Sequence, residues 1–192
     1  MCAHLADLRR ADPECRLAAA VNVSPSQLRS TQFVDLMCRV LSETGLLGDV
    51  LHLEVTETLF VDPQSTAVDV LAEVRALGVK VCVDDFGTGY ASLATLMRLP
   101  VDCVKIDRSL VAYIATDDGA RQQLAAVMAL VRSLGVHDIV AEGVETPEQA
   151  QILGELGCPS VQGWFYGRPV ALDSPDRAAA GELALYDAAP TH

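Results

Sequence analysis

The chain predicts an α/β fold of parallel strands, a βα barrel of the eight-fold type, and three observations carry that expectation. Short apolar runs and amphipathic helical stretches alternate six times without a break, so adjacent strands must be parallel and joined by helical crossovers. Polar residues recur at the carboxyl end of each strand rather than at one switch point. That pattern favours a barrel over a doubly wound open sheet, the other architecture that fits. Six units are too few to close a barrel of about 250 residues, so the 192 residues are expected to lack its opening strands.

Each element has a local reason. Residues 5–12 read as a helical remnant, with Leu5 and Leu8 on one face and Asp12-Pro13 ending it. Arg16–Val23 is a first strand that ends at Asn22. Ser24-Pro25 opens a helix as N-cap and first helical residue, and its apolar face runs through Phe33, Leu36, Met37, Val40 and Leu41 to a stop at Gly45. Val50–Val55 is the second strand, with Glu54 near its end and Thr56-Glu57 just beyond; Pro63–Leu77 is a helix closed by Gly78.

The third strand, Val79 through Val83, places valines at every second position and ends in Asp84-Asp85 before the turn Phe86-Gly87-Thr88-Gly89. A sheet interior tolerates Asp poorly, so both carboxylates belong at the strand's carboxyl end. A short helix from Ser92 to Arg98 leads to Asp102–Asp107, a fourth strand ending Lys105-Ile106-Asp107. A helix over residues 119–134 precedes the fifth strand, Asp138–Val144, which carries Glu142, with Glu145 just past it. Thr146-Pro147-Glu148 caps the next helix, Gly157 ends it, and Ser160–Phe165 is a sixth strand carrying Gln162. The domain is expected to fill residues 1–173, with 174–192 an Ala-rich terminal helix and tail.

At 51% hydrophobic residues the chain has ample core, and its net charge of −12 excludes a nucleic-acid or anionic-membrane surface, because no basic run exists to displace counterions. No window approaches eighteen apolar residues, and Met1-Cys2-Ala3-His4 lacks the pattern of a signal peptide. The six cysteines form no C-x-x-C pair; Cys82 and Cys103 sit in apolar strands, so reduced core thiols in a cytoplasmic setting are expected.

Asn22, Glu54, Asp84, Asp85 and Glu142 are all oxygen donors at strand ends. Collected on one face they suit a hard cation, Mg²⁺ or Mn²⁺, and the absence of histidine among them disfavours zinc. Adjacent aspartates suit two ions about 4 Å apart, the arrangement that activates water on a phosphodiester. Singly, each acid reads first as an N-cap or loop residue; five oxygen donors at successive ends read as a site. Lys105 stands out because the chain has twelve arginines and only two lysines. A compact ammonium at the end of an apolar strand suits orientation of water or neutralisation of phosphate charge, the alternative being an ion pair with Asp107 or Asp85. Lys80 reads as solvated, and Gln162 as a ligand or water contact. Glu57 and Glu145 read as loop or helix-start acids, and His52 and His137 as surface residues at the end opposite the acids. Trp164, Phe165 and Tyr166 read as rim filling. Asp85-Phe86-Gly87 matches the kinase triplet, but no glycine-rich loop or His-Arg-Asp loop accompanies it.

These pieces together resemble the EAL-domain family of bacterial cyclic di-GMP phosphodiesterases. The matching segments are Val21-Asn22-Val23-Ser24, Leu53-Glu54-Val55-Thr56-Glu57, Asp84-Asp85-Phe86-Gly87-Thr88-Gly89, Lys105-Ile106-Asp107, Ala141-Glu142-Gly143-Val144-Glu145 and Gln162-Gly163, in family order. The resemblance implies a modified (β/α)₈ barrel, a two-metal site and hydrolysis of cyclic di-GMP to the linear dinucleotide. By it, Asn22, Glu54 and Asp84 hold a first ion, and Asp84 bridges to a second held by Asp85 and Glu142. Lys105 positions the water, Gln162 lines the second-ion side, and Glu57 steadies the Asp84-Asp85 loop, which also implies a homodimer contact. GGDEF or sensor domains are the implied neighbours in a complete protein. The Glu-Ala-Leu segment itself has no counterpart here, so the first ion is expected to be impaired and turnover weak or absent. The alternative is a non-catalytic module that binds cyclic di-GMP or a protein partner.

Overall fold

The computed structural model describes residues 1–30, 32–56, 66–88 and 100–168. The elements, in chain order, are α1 (Cys2–Ala11), β1 (Ala19–Asn22), α2 (Pro25–Leu28), α3 (Gln32–Thr44), a 3₁₀ turn (Gly48–Val50), β2 (Leu51–Thr56), α4 (Ala67–Ala76), β3 (Lys80–Phe86), β4 (Cys103–Ile106), α5 (Arg108–Val111), α6 (Asp118–Ser133), β5 (Asp138–Ala141), α7 (Pro147–Glu155) and β6 (Ser160–Val161). The described chain divides into two compact units, one of residues 1–84 and 100–103, the other of residues 85–88 and 104–168.

In the first unit β1, β2 and β3 form a parallel ladder, with Ala19 through Asn22 opposite Leu51 through Glu54, and His52 through Thr56 opposite Lys80 through Asp84. The pleat sorts β2 cleanly: Leu51, Leu53 and Val55 are buried, while His52, Glu54 and Thr56 between them are half-buried. The apolar set packs with Val70, Leu71 and Val74 of α4 in the core. Beyond β3, Asp102 donates its N–H to Val81 O (2.9 Å), while its carboxylate accepts from Val81 N (3.0 Å) and from Arg75 Nε and Nη2 of α4 (2.9 and 2.7 Å). That fork fixes the end of α4 to the start of β3.

In the second unit Phe86 O accepts from Asp107 N (3.1 Å), and Ile106 O accepts from Glu142 N (3.0 Å). Val140 and Ala141 stand opposite Ser160 and Val161 in parallel. Strand order thus follows chain order from β1 to β6. All four residues of β4 are buried, as expected of a strand covered on both faces. Val111, Ile114, Leu124, Met128, Val131, Ile139 and Leu153 complete this unit's core at 0% exposure.

Several boundaries differ from the sequence reading. The stretch after Ser24 is two helices, because α2 ends at Leu28 and α3 starts at Gln32. Within α3 only Phe33 and Met37, four residues apart, are buried; Leu36 is 42% exposed. The sixth strand is two residues long, and Trp164 and Phe165 beyond it are 61% and 45% exposed rather than rim filling. The four-residue helix α5, unforeseen, starts directly after β4. The expected helix over 92–98, the segment from 57 to 65 and the tail 174–192 lie outside the described residues. All six cysteines are free thiols, and Cys82, Cys103 and Cys158 are buried. No helix among the described residues is long and apolar enough to cross a membrane.

Candidate active site

The first unit carries three of the expected donors at its strand ends. Asn22 and Glu54 are Cα partners across β1 and β2, so their side chains leave the ladder on one face. Asp84 is the partner of Thr56, two residues beyond Glu54 on β2 and therefore on that same face. Asn22 is exposed; Glu54 and Asp84 are half-buried. One step behind them, Cys82 stands opposite Glu54.

His52 shares this face, opposite Lys80 at the start of β3 and so towards the end away from the acids, but it is not the bland residue of the sequence reading. It lies inside β2, two residues before Glu54. A hydrogen bond with Cys82 raises its pKa above the ordinary 6.5, against burial and the Lys80 charge, which lower it. The Cys82 thiol is correspondingly lowered to about 6, first by a hydrogen bond from Cys103 and then, against burial, by His52. His137 does precede its strand and is exposed.

The second unit brings Asp85, Lys105 and Glu142 together. Asp85 is the only non-glycine residue with positive φ among those described, at 55°. Asp is one of the few residues that tolerate this region. Its carbonyl accepts from Thr88 Oγ1 (3.2 Å), and Gly87 follows at φ 104°. The chain thus turns sharply as β3 ends and leaves Asp85 exposed.

Lys105 is 8% exposed, and its Nζ lies 2.7 Å from Glu142 Oε1. The sequence reading offered Asp107 or Asp85 as alternative partners. Asp107 instead caps α5: its Oδ1 accepts from Ser109 N (2.9 Å). Burial pushes its pKa up most strongly, but bonds from Ser109 and Arg108 outweigh that and hold it below 3.8. Asp85 and Glu142 offer carboxylate oxygens within 4.8 Å of each other. Two carboxylates this close repel one another, and the Lys105 ammonium beside Glu142 offsets part of that repulsion. With oxygen donors only, the group fits a hard divalent ion and not a thiolate- or imidazole-seeking one.

Glu142 is aimed by the turn after it. Gly143 has φ 70°, and a Cβ there would overlap the Cβ of Arg108. Gln162 is exposed; its backbone N–H donates to Ala141 O (2.8 Å) and its carbonyl accepts from Val144 N (3.0 Å), beside the Glu142 turn. Glu145 is exposed, and its N–H donates to Gln149 Oε1 (2.8 Å) at the start of α7, in keeping with a structural place. Glu57 lies outside the described residues.

Parallel strands in chain order, with acids, an amide and a lysine at their carboxyl ends, define a βα-barrel protein with a candidate site at the strand-end face. More narrowly, the chain belongs to the EAL domain family, whose profile matches residues 1–169. It is 40% identical over 192 residues, 98% of this chain, to the cyclic di-GMP phosphodiesterase NbdA of Pseudomonas aeruginosa, and spans 24% of that protein's length. Its backbone superposes on the PaMucR phosphodiesterase in a cyclic di-GMP complex with a TM-score of 0.80 at 37% identity, covering 89% of this chain and 68% of that one. A Klebsiella pneumoniae BlrP1 structure with manganese and cyclic di-GMP gives a TM-score of 0.75 at 33% identity, covering 87% and 42%. The fold is therefore an incomplete (β/α)₈ barrel of the EAL type.

Proposed function

We propose that this chain is the metal- and nucleotide-binding part of a cyclic di-GMP phosphodiesterase. The observation that carries the reading is the convergence of Asp85, Glu142 and Lys105 at strand ends, in a chain similar to relatives described as cyclic di-GMP phosphodiesterases or bound to that nucleotide. In this reading Asn22, Glu54 and Asp84 would hold one divalent ion, and Asp85 and Glu142 would hold a second. Mg²⁺ or Mn²⁺ bound there would supply Lewis acidity and lower the pKa of water. The residues of the chain do the rest. Lys105, held by Glu142, donates a hydrogen bond that orients the attacking water and offsets charge on the phosphoryl oxygens. Gln162 contacts the nucleotide from the β6 side, and Glu57 steadies the loop that follows Asp84-Asp85. Water adds to one phosphorus, the P–O3′ bond breaks, and the linear dinucleotide leaves with a 5′-phosphate.

A first-ion set of one neutral amide and two carboxylates is weak in charge, so residues 1–192 alone are expected to turn over cyclic di-GMP slowly. The test is nucleotide hydrolysis by the purified chain with Mg²⁺ or Mn²⁺, followed by chromatography, beside Asp84→Asn. Turnover abolished by Asp84→Asn supports the reading; turnover indifferent to it refutes the metal assignment. Nucleotide binding without turnover, read by calorimetry, identifies instead a non-catalytic module that recognises the messenger. The segment after Asp84-Asp85 is the proposed self-association surface, checked by sedimentation of the same chain.

A further inference from the structure

Both acid-bearing turns of the second unit rest on one short element that no catalytic role has yet used. Helix α5 follows Lys105-Ile106-Asp107 directly. At its start Asp107 donates its N–H to Phe86 O (3.1 Å), the residue after Asp85, and caps the helix through Ser109 N. One turn on, Leu110 lies so close to Gly87 that a Cβ there would overlap its Cδ1. Arg108 presses its Cβ and Cα against Gly143, the residue after Glu142, with a notional Cβ 3.3 Å from Arg108 Cα.

The helix is itself held down at its far end. Gln149, 5% exposed, donates from Nε2 to Val111 O (3.3 Å) and Ala112 O (3.2 Å). The same side chain accepts through Oε1 from Glu145 N (2.8 Å) and Thr146 N (3.1 Å). The loop from Glu142 to Thr146 is therefore fastened at one end to Arg108 and at the other, through Gln149, to the last residues of α5.

A non-glycine backbone at φ 55° persists only where its surroundings help to fix it. Beside the Thr88 hydrogen bond to its carbonyl, packing behind the turn helps to hold Asp85, and Leu110 supplies part of that packing. We propose that α5 is a common seat for the Asp85 and Glu142 turns, and that Leu110 is a positioning residue setting the separation of the two carboxylates for one cation. The proposal rests on the reading of Asp85 and Glu142 as ligands. Leu110 itself never touches the ion; it acts by filling the space that Gly87 leaves. Loss of outer support of this kind lowers metal affinity by about 10–100-fold.

The experiment is Mn²⁺ titration of the chain, followed by the EPR signal of free Mn²⁺, with thermal melting of each variant run in parallel and titration done well below the melting temperature. Leu110→Ala is expected to weaken Mn²⁺ binding by about tenfold or more. Leu110→Met, which keeps the volume, is expected to stay within about twofold. Leu110→Val gives an intermediate loss and serves as the test if the alanine variant does not fold. A merely structural role would lower the melting temperature and leave the affinity of the folded protein unchanged; that result overturns the proposal. Wild-type protein that takes up no Mn²⁺ overturns the ligand reading, and the seat with it. Wild-type uptake matched by equal uptake in Leu110→Ala and Leu110→Val overturns the seat alone.

Discussion

Lys105 Nζ and Glu142 Oε1 stand 2.7 Å apart, with side-chain exposures of 10% and 20%. Lys105 lies in β4 and Glu142 directly follows β5, and the pair joins the candidate cation group to the one buried ammonium of the described core. A buried ammonium is tolerated only while its counter-charge stays in place.

Removing either partner should therefore act asymmetrically. Glu142→Gln strands the more buried charge and is expected to cost about 3 kcal/mol, the low end for a broken buried pair. Lys105→Met removes the buried cation and leaves a carboxylate that still reaches water, so its cost is smaller. It also deletes a positive charge beside the acids, which should tighten Mn²⁺ binding by about tenfold while lowering turnover. Urea denaturation and Mn²⁺ titration of the two variants check both halves.

Acid should loosen the cap of α5. The pKa of Asp107 is held below 3.8 in the folded chain, so its contribution to stability is present above 3.8 and is lost as pH falls through the folded value. Asp107→Asn keeps a capping oxygen that does not titrate, and Asp107→Ala removes it at a cost of about 1 kcal/mol. The wild type should thus lose stability relative to Asp107→Asn on acidification below pH 3.8, measured as the denaturant midpoint against pH.

The imidazole of His52 reports on its thiol neighbour. Cys82 is the main influence raising His52 above 6.5, while burial and Lys80 pull the other way. Cys82→Ala should therefore move the His52 titration to lower pH, read from the imidazole proton shifts by NMR. An unmoved midpoint would rule out the hydrogen bond between them.

Gly143→Ala meets two obstacles at once, a backbone at φ 70° and the Cβ of Arg108. The left-handed backbone alone costs about 1–2 kcal/mol, and the overlap adds to it. The variant is expected to be destabilised by at least about 2 kcal/mol and to bind Mn²⁺ more weakly than its melting temperature alone would explain. Denaturation and metal titration on the same sample check this.

The acids and the lysine were legible before any coordinates because each is a local contradiction. A carboxylate or ammonium in or beside an apolar strand reads as placed for a purpose, whatever surrounds it. Alternation of strand and helix likewise determined the parallel order of β1 to β6, since a crossover helix leaves the chain no other direction. Several other things depended on residues distant in the chain. The hydrogen bond between His52 and Cys82 joins two strands, so neither residue's own stretch of sequence could show it. Lys105 could equally have met Asp107; only the neighbouring of β4 and β5 brings it to Glu142. Helix α5 has four residues, too few for any periodic signal, and its part is written in contacts with Gly87, Gly143 and Gln149. Sequence alone determined which strand ends carry charge, because charge in an apolar strand is a local fact. Tertiary structure decided which of them meet, because strand register and the packing behind each turn are settled only when the whole core closes.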